Sequence, residues 1–160
     1  MAQNVVAERW VVQQSWLAWM RLIAIGAVAG VLYWVLTILI GRYIVEPIAC
    51  RDLADAAACV SASVTAGKVA TVLVAAASVF ALIRFAVPRP IVVSVASAIV
   101  LWSLAEFTAG LWWLEFLAWS VGMYVLAYVL FGWIAKHSNP AVVIVVTVLA
   151  VTAITIAQSV

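Results

Sequence analysis

Along this chain, charged residues punctuate long stretches that are apolar almost without interruption. Five stretches stand out, at about 22–40, 64–87, 91–110, 114–134 and 141–156. A helix crossing the ~30 Å hydrocarbon layer of a bilayer needs ~20 mainly apolar residues, and each stretch approaches or exceeds that length. Breaks fall where the residues demand them. Pro88-Arg89-Pro90 forces a tight connection, because proline lacks an N–H and restricts the residue before it. Trp112 and Trp113 suit an interface, and Lys136-His137-Ser138-Asn139-Pro140 reads as a turn. The last stretch is rich in Val, Ile and Thr, which favour strand in water. In lipid an isolated strand leaves its backbone unpaired, so a helix is expected there too.

The N-terminal 20 residues carry Glu8, Arg9, Trp10, Trp16 and Trp19. Their polar positions scatter around a helical wheel, which predicts a helical lead-in at the interface and not an amphipathic anchor. The uncharged run between Arg21 and Arg42 exceeds the ~7–15 residues of a signal-peptide core, so a retained helix is expected. A polar loop is predicted at about 43–63, with Arg42 at its edge and Glu46, Arg51, Asp52, Asp55 and both cysteines within it.

Composition agrees with this pattern. Of 160 residues, 69% are hydrophobic and 9% charged, against about half and a quarter in soluble domains. A chain this short must expose much of its surface, so the excess has nowhere to hide from water. The fold class expected is an all-α integral membrane protein, a single-domain bundle of five transmembrane helices. A bacterial or archaeal plasma membrane is the expected setting. With the N-terminus inside, Arg9, Arg21, Arg84, Arg89 and Lys136 face the cytoplasm, while Arg42, Arg51 and Lys68 lie outside. That bias predicts N-terminus inside and C-terminus outside. The net charge of +2 is weak and dispersed, with no basic cluster for nucleic acid.

Few residues could carry chemistry. Cys50 and Cys59 fall in the predicted outer loop, where a structural disulfide is expected. Closing so short a loop stabilises by about 2.5–3 kcal/mol. A continuous helix would hold the two Cα atoms roughly 13 Å apart, too far for a bridge, so the intervening segment should be at most a short helical turn. A membrane thiol oxidoreductase would need a closer Cys-x-x-Cys pair and further cysteines. Lys68, Glu106 and Glu115 lie toward one side of the membrane and form a candidate polar site. They read either as an interfacial salt bridge with solvated ends or as a pair lining an outward cavity. Burial of both head groups in the bundle would mark the second. Tyr124 and Tyr128, four residues apart, share a helix face, with Gly122 leaving room nearby, and need partners such as Ser94, Ser97 or Thr37. Gly26-x-x-x-Gly30 offers a small-residue face for packing within the bundle or in a homodimer. His137 has no ligand set around it, and no phosphate loop, nucleophile triad or catalytic carboxylate pair is present. No enzyme activity, metal or cofactor is therefore expected.

The expected role is a non-catalytic accessory, scaffold or assembly component acting through helix–helix contacts. Lipid, another membrane protein or a second copy are its expected partners. A small oligomeric transporter or channel using Lys68, Glu106 and the Tyr124/Tyr128 face is the second reading.

Overall fold

Backbone surrounded by lipid must satisfy its own N–H and C=O groups, and helices do so within one segment. The computed structural model describes residues 2–49, 56–87, 89–135 and 140–159, with side chains over 16–48, 61–87, 89–135 and 141–154. These residues are helical apart from short turns, and none of them forms a strand.

Helix α1 runs from Ala2–Ile40 and passes without a break into a wider π turn, Gly41–Val45, and then α2, Glu46–Ala49. The widening has a local cause. Pro47 offers no N–H to the turn below it, and its ring needs room there. Glu46 N–H reaches back five residues to the Gly41 carbonyl, which is the register of a π bulge. Helix α3 spans Ala56–Arg84 and so begins well before position 64. The segment 43–63, expected as a polar loop, is therefore helical over 43–49 and again over 56–63. Alanine-rich sequence around 54–58 has high helix propensity, and this outweighed the scattered charges that suggested a loop.

Helix α3 ends in a Schellman motif: Val87 N–H bonds to Leu82 O and Ala86 N–H to Ile83 O, with Ala86 at φ +53°. Arg89, also left-handed at φ +53°, precedes α4, Pro90–Val100, which opens on proline in its first turn. The third apolar run then tightens into a 3-10 turn, Leu101–Ser103, before α5, Leu104–Phe107. Gly110 at φ +87° makes the turn into α6, Trp113–Ala135, and α7, Pro140–Ser159, follows.

Among the described residues, four segments are long and apolar enough to cross a membrane: Trp16–Ile48, Ser61–Arg84, Pro90–Phe107 and Trp113–Ala135. The protein is thus a multi-pass helical membrane bundle. The described apolar part of α7, Ala141–Ile154, is shorter.

Helix α1 lies between α3 and α6, and α4 closes the ring by touching α3 and α6. Neighbours are antiparallel. Gly26 opposes Val125 and Gly30 opposes Val121 across α1 and α6, while Ser78 meets Ser94 and Lys68 meets Glu106 across α3 and the run from α4 to α5. Helix α7 packs outside this ring, against α4 and α6.

The side chains sort by size as much as by polarity. On α3 the buried positions include Ala62, Ala66, Ala70, Thr71, Val74, Ser78 and Leu82, while Val69, Val72, Leu73, Phe80 and Ile83 are exposed. Lipid tails solvate large apolar groups as well as a core does, so close packing of small residues becomes the driving force between helices. At the α1–α6 contact this reaches its limit. A Cβ on Gly30 would stand 2.6 Å from Val121 Cα and 2.8 Å from Ser120 O; one on Gly26 would stand 2.8 Å from Val125 Cα. The Gly26-x-x-x-Gly30 face is used inside the bundle.

Candidate functional site

Each helix of the ring presents hydroxyl groups inward at helical spacing. Helix α1 carries Tyr33 and Thr37 on the stripe that begins with Gly26 and Gly30; α3 carries Thr71 and Ser78; α4 carries Ser94 and Ser97; α6 carries Ser120, Tyr124 and Tyr128. Thr108 follows α5. All are buried.

The threonines spend their protons locally. Thr37 Oγ1 donates to Tyr33 O at 2.8 Å, Thr71 Oγ1 to Gly67 O at 3.0 Å and Thr108 Oγ1 to Leu104 O at 2.7 Å. Such bonds to the carbonyl four residues back leave each oxygen able only to accept. The serines instead join two helices. Ser78 and Ser94 hydroxyls are 2.9 Å apart, and both reach Ala75 O, at 2.8 and 2.7 Å. Tyr128 stands against this pair. Tyr33 faces Thr37 and Thr108, and Tyr124 faces Thr71, but neither phenol closes a hydrogen bond. The Ser97 and Ser120 hydroxyls are likewise unpaired. Rings hold the phenols in place: Tyr33 and Tyr124 are 5.4 Å apart, Tyr124 and Tyr128 stack at 6.3 Å, and Phe116 meets Tyr33 edge-on at 6.1 Å.

Tyr124 and Tyr128 thus share one buried face of α6. Ser94 lies beside Tyr128 as the sequence suggested, whereas Thr37 serves Tyr33 and Ser97 stands alone. Gly122 is on the outer face, with open space around it. Sequence reasoning passed over Tyr33, Thr71, Thr108 and Ser120. The signal was present: Gly26, Gly30, Tyr33 and Thr37 recur every three or four residues, as do Ser120, Tyr124 and Tyr128.

Lys68 Nζ and Glu106 Oε1 are 2.8 Å apart at one end of the ring. The lysine side chain is 33% exposed and the glutamate 58%. The pair forms, but its carboxylate faces outward and not into the bundle. Glu115 sits exposed in the first turn of α6, where a negative charge favours the helix dipole. None of the described charged side chains is buried. Arg21, Arg84 and Arg89 gather at the opposite end. The proposed Cys50–Cys59 bridge and His137 lie outside the residues whose side chains are described. Among the described residues no three His, Cys, Asp or Glu side chains come together as a metal site would need.

Beside the charged pair, a groove of about 610 Å³ runs between α4–α5, α6 and α7. Leu101, Phe107, Met123, Leu126 and Phe131 line it, and Glu106 stands at its end. No protein-family model, curated protein or solved structure matches the chain.

Proposed function

We propose that the protein is a non-catalytic accessory, scaffold or assembly component of its membrane, acting through contacts between helices. One observation supports this above the others: every described charged side chain is at least partly exposed, and the buried polar side-chain groups among the described residues are neutral, hydroxyls and the Trp34 indole N–H. Ion and substrate paths characteristically place charge inside the bundle. The Ser78 and Ser94 hydroxyls instead tie α3 to α4, as interhelical glue does, while the threonines bond within their own chain segment. The exposure of Glu106 favours this reading over a transporter with a polar site inside the bundle.

We further propose five crossings in a bacterial or archaeal plasma membrane, with the N-terminus inside and the C-terminus outside. The 20 residues of α7 at ~1.5 Å each reach ~30 Å, the hydrocarbon thickness. The end carrying Arg21, Arg84 and Arg89 suits the cytoplasm, while Lys68, Glu106, Arg42 and Glu46 form the mixed outer end. Cys50 and Cys59 would then face the compartment where disulfides persist. Impermeant labelling of tagged termini in intact cells tests the topology, and both ends on one side would reject it.

For the role itself, purified protein in liposomes should conduct neither ions nor small solutes. In mild detergent it should run at a fixed ratio with another membrane protein or with itself. Solute flux that disappears in Lys68→Ala or Glu106→Gln would establish the transporter instead.

A further inference from the structure

The groove has the chemical asymmetry of an amphiphile. Its walls are apolar along their length, and at one end stands a carboxylate with an ammonium 2.8 Å away. A volume of about 610 Å³ falls within the ~300–1,000 Å³ of small-molecule sites. A partner helix is the competing occupant. A hydrocarbon chain is thinner and matches the lining of Leu101, Met123, Leu126, Leu130 and Phe131.

The head group follows from charge. Lys68 and Glu106 present opposite signs side by side, which complements a head carrying both a phosphate and an ammonium. An anionic head has no cation for Glu106 and meets repulsion there. Phe107 lines the groove and packs edge-on against Trp119, with ring centroids 5.3 Å apart, so aromatic surface lies next to the carboxylate. Such surface attracts an ammonium and suits headgroup depth.

We propose that this groove binds one zwitterionic phospholipid of the phosphatidylethanolamine type. An acyl chain lies between α4, α6 and α7, the amine meets Glu106 and the phosphate meets Lys68. The site goes beyond the accessory role and stands on the membrane placement alone, so the solute-flux result does not bear on it.

Native mass spectrometry of the full chain, released from detergent micelles, tests it. The protein is offered phosphatidylethanolamine, phosphatidylcholine and phosphatidylglycerol in equal amounts. A one-to-one adduct is expected, with phosphatidylethanolamine retained over phosphatidylglycerol by about tenfold, the worth of one charged hydrogen bond. Phosphatidylcholine, without N–H donors, should fall between them. Glu106→Gln should bring the three close to parity. Leu126→Trp and Leu130→Trp, at two lining positions, should each remove the adduct, while Val28→Trp, in the cleft between α1 and α3, should leave it. Unchanged far-UV circular dichroism and elution certify each variant. Equal retention of all three lipids by the wild type, a preference for phosphatidylglycerol, or adducts that survive both tryptophans would overturn the proposal. So would a dimer that Leu126→Trp splits while the lipid adducts persist, since the groove would then belong to a second copy.

Discussion

The α1–α6 contact and the flank where α7 meets α4 and α6 are both interfaces between apolar helices, yet they are built in opposite ways. At the first, Gly26 and Gly30 bring backbone against backbone, leaving no room for a methyl group on either. At the second, α7 offers Val, Ile and Leu, most of them exposed, and the packing leaves a groove of about 610 Å³. Hydrophobicity is alike in the two places. Side-chain size is what differs. Where lipid competes for every apolar surface, dispersion between close backbones separates a tight seam from a loose one.

The largest effect that could break this contrast is at Gly30. Gly30→Leu must part α1 from α6, and a loss of about 3 kcal/mol or more is expected in reversible unfolding in mixed micelles. A loss below about 0.5 kcal/mol would show that the seam is not close-packed in solution. On the loose flank, Val143 is one buried anchor of α7. Val143→Ala should cost about 1–2 kcal/mol, and Leu149→Ala on the exposed side close to nothing. Equal costs would mean that α7 is packed on all sides.

The interior hydroxyls sharpen the comparison further, since they sit behind the tight seam. Tyr128→Phe removes a phenol that stands against Ser78 and Ser94 and should cost about 1 kcal/mol. Tyr33→Phe removes an unpaired buried hydroxyl and should be neutral or stabilising by up to about 1 kcal/mol. The reverse order would place an ordered partner, such as water, on Tyr33. Smallest is the exposed ion pair. Lys68→Met should change stability by less than about 1 kcal/mol, and added salt should shrink even that.

Part of the candidate site could be seen in the residues alone. Lys68 and Glu106 stood out because charge is rare in apolar runs, and Tyr124 and Tyr128 because four residues make one helical turn. Tyr33 was hidden within an apolar run, and only its spacing from Gly26 and Gly30 marked it. The loop expected at 43–63 failed for another reason. Charges near membrane level suggest a connection, but they do not stop a helix whose alanines favour it. The width of the groove could not be inferred, because it depends on how far α7 stands from α6.

Composition and the length of the apolar runs determined by themselves that this chain is a helical membrane protein, because lipid admits few backbone solutions and asks each helix for a set length. The tertiary structure decided which helices touch, which hydroxyls meet and where the Glu106 carboxylate points. Those follow from the mutual fit of surfaces on separate helices, and apolar faces in lipid have little except shape to choose partners by.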